Sequence, residues 1–349
     1  MNTKHRIYSL IKLFNYQYPA LISMLVILSL SITGCSIPAD KNATLQDTII
    51  AFDTVVTITL YGTDDSDALE GAMELCRSYE KLFSRTVEGS DVYRINHAGG
   101  EPVCVSPETI TLIRRSVSYS ELTDGAIDIT IAPVKDLWDF SSTDKDADIS
   151  DLPNEQLLSD ALSHVDYRVI QYDPDACTVT LTDPEAQIDL GFIAKGYIAD
   201  KVKEYLVSRN ITSATINLGG NVLTIGSKPD GTPFKIGIQK PFETDTAIDV
   251  VSVSGQSVVT SGIYERYFQI GDVIYHHILD PKTGYPVSND LLSVTIISDS
   301  SMEGDALSTT CLMLGLNDAR TLVEGMDGIK AIFITKDYSI YESNTDSSF

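Results

Sequence analysis

Positive charge is scarce in this 349-residue chain, which has 25 Lys and Arg against 49 Asp and Glu and a formal net charge of −24. Such a field repels phosphate backbones, so we expect no nucleic-acid partner. The acidity either keeps the protein soluble or favours bound cations and basic partner surfaces, and its sign alone does not choose between the two.

Several common catalytic patterns are also missing. The chain has no G-x-x-x-x-G-K-[ST] phosphate loop, no G-x-G-x-x-G, no H-E-x-x-H and no G-x-S-x-G. Its five cysteines form no C-x-x-C pair and no cluster at zinc spacing, so we expect no essential disulfide. Cys76 and Cys311 fall on apolar helical faces, where a free Cys behaves as a small hydrophobe.

The N-terminus carries a targeting segment. Lys4, Arg6 and Lys12 precede an apolar run over 21–32, which is too short for a comfortable membrane span and suits a signal peptide. The run ends in Ile-Thr-Gly before Cys35, which resembles a bacterial lipobox whose Cys is acylated; an uncleaved anchor helix with an incidental Cys is the alternative. We therefore expect a signal peptide over 1–34, a tether over 35–47 and a lipid-anchored protein on the extracytoplasmic face of a bacterial membrane.

Periodicity over 48–343 predicts one α+β unit with mixed or antiparallel sheets, packed helices and room for two lobes. Runs of strands and runs of helices replace strict alternation, and no Pro/Gly/Ser-rich linker divides the segment. The predicted strands are Thr54–Tyr61, Tyr167–Tyr172, Cys177–Thr182, Ala214–Leu218, Asn221–Ile225, Phe234–Gln239, Val250–Val253, Leu292–Ile297 and Lys330–Thr335. The predicted helices are Ser66–Phe83, one opened by Ser106 and Pro107, Pro153–Val165, Ile193–Val207, Asp305–Leu314 and Ala319–Met326.

Seven segments between about residues 48 and 340 form a recognisable series. They read SDVYRIN from Ser90, TDGAID from Thr123, DLGFIAKG from Asp189, NLGGN from Asn217, TSGIYER from Thr260, HILDPKTG from His277 and GDALST from Gly304. In this order they resemble the ApbE family of FAD:protein FMN transferases. No single segment is decisive, but seven in the family order are specific. The resemblance implies an α+β fold, FAD as substrate and a bound Mg²⁺.

Asp305 and Thr309 lie four residues apart on a predicted helix, so their oxygens share one face. A carboxylate with a hydroxyl suits Mg²⁺, although an isolated pair of this kind is more often a capped or solvated helix face. The resemblance makes both residues metal ligands and adds the backbone carbonyl of Phe192, where the family usually has a smaller residue.

The resemblance also implies a set of residues around FAD. Asp189 and Lys195 flank a turn into a helix, whose N-terminus attracts phosphate; a helix cap and a surface lysine are the alternatives. The remaining residues implied at the flavin nucleotide are Phe52, Ala126, Ile127, Asp128 and Ile278.

His277 is the only His inside a matched segment, and it is our candidate base for an acceptor hydroxyl; a positioning role is equally open. Strand alternation should direct its neighbour His276 to the opposite face. The reaction implied is transfer of FMN from FAD to a Ser or Thr of an extracytoplasmic protein, with release of AMP.

The acceptor hydroxyl implied by the family lies in an Asp-x-x-[Ser/Thr]-Gly-[Ala/Thr] sequence, which this chain lacks. That absence favours an enzyme that modifies another protein over a carrier of covalent FMN. Two alternatives remain: a Mg²⁺-dependent FAD pyrophosphatase, and a non-catalytic FAD-binding lipoprotein.

Overall fold

The computed structural model describes residues 43–140 and 147–343. The predicted signal peptide, the lipidation site Cys35 and most of the predicted tether lie outside these residues. Among the described helices, none is both long and apolar enough to cross a membrane. The described residues belong to one compact unit.

An eight-stranded antiparallel sheet forms the centre of this unit, in the strand order β1-β2-β6-β7-β10-β13-β14-β15. In β2, Val56, Ile58 and Leu60 are fully buried and alternate with Thr57 and Thr59, so the strand presents one apolar face to the core. The strands of this sheet are β1 (Thr44–Ala51), β2 (Thr54–Tyr61), β6 (Ala214–Leu218), β7 (Asn221–Ile225), β10 (Ser257–Gly262), β13 (Leu291–Ser298), β14 (Ile329–Thr335) and β15 (Ile340–Ser343).

Three small antiparallel sheets surround it, in the pairings β3-β5-β4, β8-β9 and β11-β12. Their strands are β3 (Val103–Cys104), β4 (Ile170–Asp173), β5 (Thr178–Leu181), β8 (Phe234–Gln239), β9 (Ala247–Val253), β11 (Tyr267–Ile270) and β12 (Val273–His276). The candidate base His277 directly follows β12.

Helices cover the central sheet, and α6 (Ala194–Ser208) and α7 (Ser301–Leu314) contact both the sheet and each other. Ser106 caps α3 (Pro107–Leu122), which has Pro107 in its first turn, as predicted. The helices are α1 (Ser66–Phe83), α2 (Asp91–Asn96), α3 (Pro107–Leu122), α4 (Ala132–Lys135), α5 (Glu155–Leu162), α6 (Ala194–Ser208), α7 (Ser301–Leu314) and α8 (Leu316–Val323).

Buried apolar side chains form two clusters within this unit. The larger contains the central sheet with α1, α3, α6 and α7. The smaller joins α4 and α5 to the β11-β12 hairpin through Val134, Trp138, Leu158, Phe268 and Leu279. Cys76 and Cys311 are buried in the larger cluster, as their positions on apolar helical faces predicted.

The predicted boundary between the tether (35–47) and the domain lies too far along the chain. Strand β1 begins at Thr44 and pairs along its whole length with β2, so the sheet starts four residues before the predicted domain boundary at residue 48. Strand β1 lies at the edge of the sheet, and most of its residues are exposed. Its sequence therefore does not show the alternation of apolar and polar residues that reveals a half-buried strand.

Candidate active site

Helices α6 and α7 bring the predicted metal ligand Asp305 against the start of α6. The backbone N–H of Gly196 donates to Asp305 Oδ2 at 2.9 Å, and Lys195 Nζ lies 3.7 Å from Asp305 Oδ1. A Cβ at Gly196 would lie 2.2 Å from the Ser301 carbonyl oxygen and 2.7 Å from Asp305 Cβ. This close helix contact therefore requires glycine, and the contact sets the position of the carboxylate.

The Phe192 carbonyl precedes helix α6 and lies outside its hydrogen-bond ladder. The N-cap of α6 is Ile193, so the N–H of Gly196 belongs to the first turn, where it has no partner within the helix, and it donates to Asp305. Among the described residues no backbone N–H donates to the Phe192 carbonyl. The predicted backbone ligand is therefore open to a cation.

Asp305 and Thr309 lie one turn apart on α7, as predicted, and Thr309 Oγ1 lies 2.9 Å from Ser261 Oγ. Burial raises the pKa of the Asp305 carboxyl, although Lys195 and the Gly196 N–H oppose that rise. A buried carboxylate, a free carbonyl and a hydroxyl form the hard-oxygen donor set that Mg²⁺ accepts, with water and substrate phosphate as its further ligands. Among the described residues no three His, Cys, Asp or Glu side chains cluster, so this set would rely on one carboxylate.

Asp189 is the centre of an ion-pair network. Its carboxylate lies 2.6 Å from Lys135 Nζ and 3.5 Å from Arg85 Nε, and it accepts the Gly191 N–H at 2.7 Å. Burial alone would raise the pKa of Asp189, but Lys135, the Gly191 N–H and Arg85 together lower it to about 2. Arg85 also pairs with Asp136. Sequence reasoning missed both cations, because neither lies in a matched segment.

The sequence suggested that His277 lies in a strand. In the structure β12 ends at His276, and His277 directly follows it. Its ring Nδ1 lies 3.2 Å from the Arg266 carbonyl oxygen. A carbonyl only accepts, so Nδ1 carries the proton and Nε2 keeps its lone pair. Desolvation and the charges of Lys135 and Arg266 lower the pKa of His277 to about 3, so its ring is neutral at pH 7.

His276 has a different environment from His277. It is nearly fully buried, its Nε2 lies 3.1 Å from the Val287 carbonyl oxygen, and burial lowers its pKa to about 4. His277 is only partly buried. The separation of the two rings into different surroundings agrees with the alternation predicted for them.

Glu265 is a second group that sequence reasoning did not single out. Its side chain keeps accessible surface, yet the surrounding protein atoms raise the pKa of its carboxyl to about 7, against the lowering effect of Lys195 and Arg266. Asp305 adds to that rise.

The TDGAID segment does not present its side chains as expected. Ile127 and Asp128 are buried, and the Asp128 carboxylate accepts the Thr130 N–H at 2.8 Å, the Thr130 hydroxyl at 2.6 Å and the Tyr167 N–H at 2.8 Å. Asp128 is therefore occupied in holding its own loop. Contact of these two residues with a flavin nucleotide would involve backbone groups, and Ala126 is half-buried beside them.

Hydrogen bonds fix the backbone at Asp189. The Asn96 side chain donates to the Ile188 carbonyl at 2.9 Å and accepts the Ile188 N–H at 2.7 Å. The next residue, Asp189, donates its N–H to the Ile129 carbonyl at 2.8 Å. Asn96, at the end of SDVYRIN, and Ile129, directly after TDGAID, thus hold this backbone, which gives Asn96 a structural role.

The other two predicted flavin neighbours differ in exposure. Phe52 is half-buried in the β1-β2 turn, and it packs partly against the larger cluster. Ile278 is buried directly after His277, and its carbonyl accepts the Val287 N–H at 2.9 Å. Of the pair, only Phe52 has substantial free side-chain surface.

These features define an α+β protein with a candidate cation site of oxygen donors and with three positive side chains near the candidate base or the candidate metal ligand. Lys135 and Arg266 act on His277, Lys195 lies beside Asp305, and Arg85 pairs with Asp189. Such local positive charge in a strongly acidic chain suits a phosphate-containing substrate.

Comparisons with known proteins identify the family. The ApbE family profile matches residues 52–333. A FAD:protein FMN transferase of Klebsiella pneumoniae is 37% identical over 291 residues, which cover 83% of this chain and 88% of the relative. The chain belongs to the ApbE family, and like these relatives it is an enzyme.

Solved structures agree with that assignment. The crystal structure of an ApbE protein from Thermotoga maritima superposes with a TM-score of 0.77 at 33% identity, covering 87% of this chain and 98% of that one. A flavin transferase ApbE from Vibrio cholerae gives a TM-score of 0.76 at 27% identity, with 86% and 97% covered. The predicted family and the α+β class are therefore confirmed.

Proposed function

We propose that this chain transfers the FMN part of FAD to a Ser or Thr hydroxyl of another protein, with Mg²⁺ bound. The hydroxyl oxygen forms a bond to the FMN-side phosphorus, and the bond from that phosphorus to the bridging oxygen breaks, so that AMP leaves with the electron pair. The observation that carries the proposal is the α6-α7 contact, in which the Gly196 N–H fixes a buried Asp305 carboxylate close to Lys195.

Asp305, Thr309 and the Phe192 carbonyl are the groups that would hold the metal. When bound, Mg²⁺ neutralises charge on the pyrophosphate oxygens and on the leaving group. Lys195 supplies a further positive charge at the start of α6, where the helix dipole also favours an anion. Asp189 keeps Lys135 and Arg85 in fixed positions, and these cations add to the field that attracts FAD.

His277 is the proposed base. Its Nε2 lone pair accepts the proton of the acceptor hydroxyl as the oxygen attacks, while the Arg266 carbonyl holds Nδ1. In the free protein desolvation, and after it the charges of Lys135 and Arg266, lower the pKa of the ring. The negative pyrophosphate of bound FAD would offset the part of this lowering that comes from the two cations.

We further propose the binding partners and location. Phe52 covers one face of the flavin ring, while Ala126, Ile127, Asp128 and Ile278 line the nucleotide. The acceptor is an extracytoplasmic protein with a Ser or Thr in an Asp-x-x-[Ser/Thr]-Gly-[Ala/Thr] sequence. Cys35 carries a lipid that holds the enzyme at the membrane surface, in agreement with the signal-like residues before it.

The deciding assay measures AMP release from FAD and Mg²⁺, with and without a protein that carries the acceptor sequence. A Ser-to-Ala or Thr-to-Ala change in that sequence provides the matched control. Acceptor-dependent AMP together with covalent FMN on the acceptor supports the transferase. Rapid AMP release without acceptor would instead identify a pyrophosphatase, and a stable FAD complex without AMP would identify a binding protein.

A further inference from the structure

The turn between β1 and β2 has an unusual backbone. Ala51 pairs with Thr54, so the turn consists of two residues, Phe52 and Asp53, and both have positive φ angles of 55° and 54°. Two-residue turns of this type strongly favour Asn-Gly or Gly-Gly, because most L side chains are strained there. The conformation of the turn therefore does not explain why Phe occupies its first position.

Two side chains from elsewhere in the fold hold this turn. Glu80 Oε1, from α1, accepts the Phe52 N–H at 2.8 Å. Arg266 Nη2, from the segment between β10 and β11, donates to the Asp53 carbonyl at 3.1 Å. Strained backbone persists only where its surroundings determine it from several sides, and such positions concentrate at ligand-binding sites.

Arg266 also holds the candidate base. Its carbonyl oxygen accepts the backbone N–H of His277 at 3.1 Å and lies 3.2 Å from the ring Nδ1. One residue therefore contacts the turn that carries Phe52 through its guanidinium and contacts His277 through its backbone. Arg266 therefore contributes to the position of both the Phe52 ring and the His277 ring.

We propose that Arg266 is a positioning residue that fixes the Phe52 turn for stacking on the flavin ring and links that contact to the geometry of His277. The inference rests on the proposed function, since it concerns the same FAD. Phe is retained in a strained position because its ring is needed there, and Arg266 with Glu80 keeps the turn in the conformation that presents it. Aromatic stacking on a flat ring depends on orientation, which a loose turn would not maintain.

The test is a double-mutant cycle on FAD affinity, measured by calorimetric titration without acceptor. Arg266→Met removes the donor but keeps the backbone carbonyl, and Phe52→Leu removes the aromatic ring. Each should weaken FAD binding on the order of tenfold, and the double variant should bind no more weakly than the weaker single variant. Arg266→Lys should recover part of the affinity, and Arg209→Met, at an exposed arginine paired with Asp65, should bind as wild type.

Two results would overturn this inference while leaving the proposed function intact. Additive losses in the double variant would mean that Arg266 contacts FAD directly or acts through overall charge. Wild-type affinity in a folded Arg266→Met protein would mean that the turn does not depend on it. By contrast, wild-type protein that binds no FAD would contradict the proposed function itself.

Discussion

Replacing Gly196 with Ala tests whether the α6-α7 contact builds the site. The added Cβ would lie 2.2 Å from the Ser301 carbonyl oxygen, whereas ordinary contacts begin near 3.4 Å, so the helices must separate by about 1 Å. Backbone is the obstacle, and no side-chain rotation can relieve it. The separation stretches the hydrogen bond from residue 196 to Asp305, which is 2.9 Å in the native protein.

The expected cost in stability is modest because two effects oppose each other. Overpacking costs about 1–3 kcal/mol, and Ala in a helix gains back about 1 kcal/mol relative to Gly. The effect on activity should be larger, since misplacing a reacting group by about 1 Å can cost on the order of 100-fold in rate. We therefore expect a folded Gly196→Ala protein with AMP release reduced about 100-fold and a weakened response to Mg²⁺.

Gly71→Ala is the matched control. Its Cβ would also be crowded, at 2.0 Å from the Tyr205 hydroxyl, but that atom is the end of a side chain that can move. We expect near wild-type transfer from this variant. Thermal unfolding and acceptor-dependent AMP release would be measured on both proteins. Wild-type rate and metal response in Gly196→Ala would refute the claim that this contact positions Asp305.

The remaining predictions concern the base, the ion-pair network and the lipid. His277→Ala should slow transfer about 100-fold or more with FAD affinity nearly unchanged, and equal losses in His276→Ala would favour a structural role for both. Asp189 has its pKa lowered to about 2, so its carboxylate stabilises the fold above pH 4 and this contribution is lost as the pH falls toward 2. Asp189→Asn should cost about 2 kcal/mol at pH 7 and flatten the acid limb of unfolding curves, and an unchanged limb would contradict the assignment. Cys35→Ala should abolish lipid labelling and membrane retention, and unchanged labelling would exclude Cys35 as the anchor.

Much of the fold was predictable because its elements carry strong local signals. The helix over Ser66–Phe83 and the strand over Thr54–Tyr61 were predicted with the bounds that the structure shows. Strand β1 was missed because its edge position leaves it largely exposed, and an exposed strand contains too few buried positions for alternation to show. The β11-β12 hairpin was also missed, although β4 and β5, which are equally short, were predicted.

The site was predictable in part: residues on one helix could be placed together from their spacing, whereas residues far apart in the chain could not. Asp305 and Thr309 share a helix, so their spacing alone placed them together. Lys135 and Arg85 pair with Asp189 although they precede it in the chain by 54 residues (189 − 135) and 104 residues (189 − 85). A local sequence pattern cannot predict contacts between residues so far apart in the chain. The inward orientation of the Asp128 carboxylate was likewise invisible, because its partner Tyr167 lies on a separate turn.

Covalent FMN on the acceptor, followed against Mg²⁺ concentration, tests the central claim most directly. Wild type, Asp305→Asn and Thr309→Val would be compared, with metal binding measured separately by calorimetry. Asp305→Asn keeps the shape but removes the charge, so it should need much more metal and be partly rescued by excess Mg²⁺ or Mn²⁺, whereas Thr309→Val should lose less because water can replace a hydroxyl. A folded Asp305→Asn protein with wild-type metal affinity and transfer would contradict the account.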